Sequence, residues 1–92
     1  MSKKNSTIKI DVKGVIQGVG FRPFIYNLAK FHNINGYVLN KGNIVEIVAN
    51  GEDNKLKEFI NDIKIKKPKL SVIEDLSISF LNNYNKYITF EI

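Results

Sequence analysis

Between Gly51 and Pro68 the chain carries its firmest instruction. Leu56, Phe59, Ile60 and Ile63 recur at i, i+3, i+4 and i+7, the spacing that lines four apolar side chains along one stripe of an α-helix. Lys55, Lys57, Glu58, Asp62 and Lys64 fall elsewhere on the wheel, and Glu52 and Asp53 stand where a helix N-terminus favours acids. A second stripe follows Pro23: Phe24, Leu28 and Phe31 or His32, with Ile25 and Ala29 alongside. Proline suits the first turn, where its missing N–H costs nothing, and this helix is expected to end near His32-Asn33. Two helices with one apolar stripe each, in a chain of 92 residues, need a single sheet face to cover.

The other segments supply that sheet. Residues 7–13 alternate, with Ile8, Ile10 and Val12 on one face and Lys9, Asp11 and Lys13 on the other, which is a half-buried strand. NGYVLN at 35–40 and IVEIVAN at 44–50 flank Lys41-Gly42-Asn43, a hairpin turn by composition. Leu76, Ile78 and Phe80 alternate with Ser77 and Ser79. Val72 would extend that phase only by turning Glu74 inward, so a bulge or late start is expected near Glu74-Asp75. Residues 82–86 are a polar turn, and Tyr87–Ile92 alternates as a short edge strand. The expected order is β-α-β-β-α-β, an α+β ferredoxin-like two-layer sandwich. It has an antiparallel sheet, both helices on one face and room for a fifth edge strand. One domain spans residues 7–92, preceded by a frayed tail over 1–6.

Composition narrows the chemistry. The chain has no cysteine, which excludes disulfides, thiolate catalysis and Cys-ligated zinc. MSKKNST lacks an apolar core and does not read as a signal peptide. No apolar run approaches the roughly 18 residues of a membrane span, so a cytoplasmic protein without a membrane partner is expected. The net charge is +5, but the lysines are scattered. The densest group, Lys64, Lys66, Lys67 and Lys69 around Pro68, reads as a solvated loop, so nucleic acid is not an expected partner. The single histidine, His32, sits at a helix end, where it serves as a C-terminal cation rather than a catalyst. Without cysteine or a second histidine, no transition-metal site is expected.

Against a lysine-rich background Arg22 is the only arginine. Arginine presents a planar fork that grips an oxyanion bidentately. It closes the stretch Gln17-Gly18-Val19-Gly20-Phe21-Arg22, which lies between a strand and a helix N-terminus. Glycines there let backbone N–H groups converge on an anion, and the helix dipole adds a favourable field. The stretch fits neither G-x-G-x-x-G, since Pro23 holds the third glycine position, nor the Walker loop, since no Gly-Lys-Ser/Thr follows. A plain tight turn would use the same glycines. Asn40 ends a strand on the side of Val38, away from Tyr37 and Leu39. Its amide both donates and accepts, so it could orient a water for attack on a phosphate; a turn-forming asparagine before Lys-Gly-Asn is the other reading.

With these residues in view, the sequence resembles the acylphosphatase family over residues 8–92. The resemblance rests on VKGVIQGVGFR at 12–22, NGYVLNKGNIVEIVANG at 35–51 and the helix after Gly51. It implies hydrolysis of an acyl phosphate to a carboxylate and phosphate without metal or cofactor. It also implies that Gln17–Arg22 is the phosphate-binding loop, Arg22 the essential arginine and Asn40 the water-orienting asparagine. GVGFRPF, with Pro-Phe after the arginine, is further similar to the N-terminal domain of the carbamoyltransferases of [NiFe]-hydrogenase maturation (HypF). This narrower likeness implies carbamoyl phosphate as the substrate. It also implies downstream domains of a longer chain and other maturation proteins as partners. Two positions depart from the family pattern: Tyr37 stands where tryptophan is common, and Lys41 follows Asn40 where a small polar residue is common.

The implied chemistry is positioning and electrostatics, because an acyl phosphate already carries a good leaving group. A docking domain of the same longer protein that binds phosphate without turnover, or a stand-alone acylphosphatase, fits the same residues. An RNA-recognition domain shares the topology, but IVEIVAN lacks the aromatic set that such a sheet stacks on bases.

Overall fold

The computed structural model describes residues 4–81 and 87–92; the polar turn expected over 82–86 lies outside them. Its elements run β1 (Asn5–Val15), α1 (Phe21–Phe31), β2 (Asn35–Lys41), β3 (Ile44–Glu52), α2 (Asp53–Ile65), β4 (Val72–Phe80) and β5 (Phe90–Glu91). The sheet order is β4-β1-β3-β2-β5. Ile8, Ile10, Val12, Val38, Val45, Ile47 and Ala49 turn one sheet face toward Ile25, Leu28 and Ala29 of α1 and Leu56, Phe59 and Ile63 of α2. Both apolar stripes thus meet the same sheet face, in a ferredoxin-like α+β sandwich.

The structure corrects the sequence reading at three places. β5 pairs with β2 in parallel, Gly36 opposite Phe90 and Tyr37 opposite Glu91, so the sheet is mixed rather than wholly antiparallel. The fifth strand is also shorter than the alternation of Tyr87–Ile92 implied. β1 opens at Asn5, inside the expected tail. Asn5 and Ser6 pair with Glu52 and Gly51, the Asp53 N–H donates to the Lys4 carbonyl at 2.9 Å, and the Ser6 hydroxyl donates to the Asp53 carboxylate at 2.6 Å. Backbone pairing and polar side-chain contacts hold this end, so apolar alternation could not reveal it.

The irregularity expected near Glu74-Asp75 is present as a bulge, and with it β4 runs from Val72. Lys13 pairs with Asp75 and Gly14 with Ile73, so Glu74 is skipped. Gly14 makes that close approach possible: at φ 146°, a Cβ there would stand 2.0 Å from the Val72 carbonyl oxygen. Leu76, Ile78 and Phe80 share the helix-facing side, opposite Val12, Ile10 and Ile8. As β4 is an edge strand, Phe80 remains 78% exposed.

Candidate active site

The end of β1 delivers the chain to the mouth of α1. Ile16 is buried and anchors the start of the loop, and Phe21 is buried at its end, its ring 5.8 Å from that of Phe24. Between them, Gly18 and Gly20 adopt φ 70° and 78°, a left-handed conformation that costs a residue with a side chain about 1–2 kcal/mol. A Cβ at either would meet nothing within 4 Å, so backbone conformation, not crowding, calls for glycine. Left-handed residues in such a turn aim successive N–H groups inward.

Gly20 is the N-cap of α1. No side chain caps this helix, and no acid stands in its first turn. A helix leaves its first N–H groups without intrahelical acceptors. Here the first bond is Phe24 N–H to Gly20 carbonyl, 3.1 Å. The open donors therefore belong to Gly20, Phe21 and Arg22, and Pro23 has none to leave open. Arg22 is exposed and has no ion pair among the described residues.

β2 supplies the opposite wall. Asn40 pairs with Val45, and Val45 pairs with Val12, so all three side chains share the helix-facing side. Ile16, Gln17, Gly18, Gly20, Phe21, Arg22, Pro23 and Asn40 line one cleft of about 280 Å³. None is acidic, and Arg22 is the one charged group among them. Six of the seven residues expected at a phosphate site therefore converge. The seventh, Val19, packs partly buried against the core and lends only its backbone to the loop. The cleft can hold a compact anion against Arg22 and the helix donors, with an amide alongside to orient water.

Lys41 turns away from this cleft. Its Nζ donates to the Glu46 carboxylate at 3.1 Å on the opposite sheet face. The Tyr37 hydroxyl donates to the same carboxylate at 3.1 Å, and Lys9 stands 4.0 Å away. Burial pushes the Glu46 carboxyl up. The hydrogen bonds from Lys41 and Tyr37, with the Lys41 and Lys9 charges, outweigh it and hold the group below its ordinary value. Burial, then the neighbouring Glu46, raises the Tyr37 hydroxyl. A glutamate within the apolar run IVEIVAN was the sequence signal that such partners must exist.

His32 is buried at the far end of α1, its Nε2 2.8 Å from the Asp62 carboxylate and its Nδ1 3.5 Å from Glu58. It ties α1 to α2 and has no part in the cleft.

Comparison with known proteins completes this picture. The acylphosphatase family model matches residues 8–92. The chain belongs to the acylphosphatase family. It is 48% identical over 85 residues to a probable carbamoyltransferase HypF of Methanocaldococcus jannaschii, covering 92% of this chain and 11% of that relative. It is 40% identical over 72 residues to an acylphosphatase of Thermotoga maritima, covering 77% of this chain and 79% of that relative. Among solved structures, full-length HypF in a phosphate- and nucleotide-bound form superposes with TM-score 0.92 at 33% identity. That match covers 99% of this chain and 12% of that one. The Bacillus subtilis acylphosphatase superposes with TM-score 0.89 at 31% identity, covering 97% and 98%. The chain thus spans about a tenth of the HypF relatives and most of the acylphosphatases.

Among the described residues of this acylphosphatase-family chain, the two central strands β1 and β3 put no aromatic ring on the open sheet face. The central strands present Lys9, Asp11, Glu46 and Val48 to that side, where an RNA-recognition sheet presents aromatic rings.

Proposed function

We propose that the cleft hydrolyses an acyl phosphate, with carbamoyl phosphate as the substrate, to a carboxylate or carbamate and inorganic phosphate. One observation carries the reading: the Gln17–Arg22 loop and Asn40, from separate elements, line one cleft at the uncapped N-terminus of α1. Arg22 and the loop N–H groups hold the phosphoryl oxygens, more tightly as charge shifts onto them in the transition state. Asn40 holds a water in line with the leaving group. The water oxygen bonds to phosphorus, and the P–O bond to the acyl group breaks. The carboxylate leaves with that electron pair, and the water protons pass to phosphate and solvent. The carboxylate of an acyl phosphate leaves readily, so the chemistry asks for no strong base and no metal.

The likeness to HypF proteins supports carbamoyl phosphate, and supports further domains of a longer chain and other hydrogenase maturation proteins as partners. Release of phosphate from acetyl, benzoyl and carbamoyl phosphate by the wild type, Arg22→Ala and Asn40→Ala tests the reading. Loss of turnover in both variants is expected, with carbamoyl phosphate preferred by the wild type. Equal rates for all three proteins overturn it. Because the chain covers only 11% of its HypF relative, a docking role within a longer protein is the second reading. Phosphate-induced amide shifts at 17–22 without hydrolysis by the wild type would favour it.

A further inference from the structure

We infer that Gln17 is a positioning residue whose side chain ties the phosphate loop to the β2–β3 hairpin and so sets Asn40 against the bound phosphoryl group. The inference rests on the acyl phosphate reading of the cleft. Gln17 lines the cleft, and its side chain reaches across to the hairpin. Its Nε2 donates to the Gly42 carbonyl at 2.7 Å, across 25 positions of sequence. A carbonyl oxygen cannot donate, so the amide has one orientation that satisfies this contact.

The hairpin moves as a unit. Asn40 pairs with Val45 and Lys41 with Ile44, leaving Gly42 and Asn43 as the turn. Gly42 lies two residues past Asn40, so fixing its carbonyl fixes the strand end that carries the water-orienting amide. The loop needs such a tie. Ile16 and Val19 pin its inner side to the core, but the spaces beside Gly18 and Gly20 are open, and packing does not set its distance from the hairpin. The bond spans the two walls of the cleft, since Gln17 and Asn40 both line it.

An exposed hydrogen bond contributes little to folding, whereas misplacing reacting groups by about 1 Å can cost about a hundredfold in rate. Function should therefore feel this contact more than stability does. Gln17→Ala is expected to lower kcat about tenfold to a hundredfold, with KM and the affinity for inorganic phosphate changed by less than about threefold. In an Asn40→Ala background the same substitution should cost less than about twofold more, because the two residues act as one unit. Multiplicative losses, or a loss confined to phosphate affinity, overturn the inference.

Amide spectra give a readout independent of turnover. Gln17→Ala should move the Gly42 and Asn43 amides and the Asn40 side-chain resonance in the free protein. Titrating inorganic phosphate should then shift residues 18–22 without the accompanying shift at Asn40 expected in the wild type. Wild-type protein without hydrolysis would sink the proposed function alone, and the spectra would still decide the tie. Unchanged Gly42 and Asn40 resonances in Gln17→Ala sink the tie.

Discussion

The two helices begin in opposite ways. At α2 the positive end of the helix is met from within. Asp53 stands in the first turn, its carboxylate takes the Ser6 hydroxyl at 2.6 Å, and its N–H reaches the Lys4 carbonyl. At α1 no acid among the described residues meets it: a left-handed glycine caps the helix, no acid lies in the first turn, and the charge in the cleft is Arg22. Both helices rest on the same sheet face and follow strands, so topology does not explain the contrast. Neither helix has a side-chain N-cap, but the first-turn acid stabilises the α2 terminus, whereas the α1 terminus forgoes that stabilisation. Open donors beside an unpaired arginine are what an anion site requires.

Removing the arginine should produce the largest effect. Arg22→Ala is expected to lower kcat/KM for an acyl phosphate by about 10³-fold or more, as loss of a charged transition-state partner does. Its unfolding midpoint in urea should stay near that of the wild type, since Arg22 is exposed. A large fall in stability with intact turnover would reverse the roles assigned to the two termini. Asn40→Ala ranks next. Phosphate release should slow about a hundredfold, while affinity for inorganic phosphate, followed at the 17–22 amides, stays within about twofold.

Glycines divide along the same line, although they look alike in GVIQGVGFRPF. Gly14 belongs to the β1–β4 pairing. Gly14→Ala drives a Cβ to 2.0 Å from the Val72 carbonyl and should cost about 2–3 kcal/mol in chemical denaturation. Gly20→Ala meets no atom within 4 Å and strains only the backbone, at about 1–2 kcal/mol. It should nonetheless weaken phosphate binding, because relief of the strain turns a loop N–H out of the cleft. If Gly14→Ala proves the milder change in stability, the β4 bulge is not held as described.

These contrasts also mark what sequence could reveal. The stripe Leu56-Phe59-Ile60-Ile63 announces α2 because burial demands it, and three of the four are indeed buried, with Ile60 at the margin. Gln17–Arg22 is legible because the loop is contiguous, and Asn40 because strand alternation assigns its face. Asn5 and Ser6 in β1 stay hidden, since backbone pairing rather than apolar contact recruits them. The parallel β2–β5 pairing spans two residues and depends on the path of the chain across the fold, which local patterning does not encode. The Gln17–Gly42 contact is invisible for the same reason: only tertiary structure brings positions 25 apart within 2.7 Å.

Closing α1 in the manner of α2, or opening α2 in the manner of α1, tests the comparison directly. Asp53→Ala removes the first-turn acid and the acceptor for Ser6. The expected loss is about 1–2 kcal/mol in urea unfolding, with acyl phosphate turnover unchanged. Pro23→Asp places an acid in the first turn of α1, on a position lining the cleft. It should weaken phosphate binding roughly tenfold through like-charge repulsion. Loss of turnover in Asp53→Ala would mean that the α2 terminus is coupled to the cleft after all.

The smallest effect belongs to the other end of α1. The hydrogen bond with His32, then Lys66, holds the Asp62 carboxyl below its ordinary value, against the opposing effect of burial. A carboxyl whose folded pKa is depressed binds fewer protons folded than unfolded. Its stabilisation is therefore present above the unfolded value of about 3.9 and is lost as pH falls through the lower folded value. Glu46 adds to the same acid limb through Lys41 and Tyr37. His32→Ala should therefore flatten the fall of the unfolding midpoint below about pH 4, in addition to lowering it at neutral pH. His32 sits at the C-cap of α1, remote from the cleft at its N-terminus, so phosphate-induced shifts at 17–22 should be unchanged. If the acid limb keeps its slope in His32→Ala, Lys66 rather than His32 sets the Asp62 carboxyl. If the phosphate shifts change as well, the two ends of the helix do not act independently.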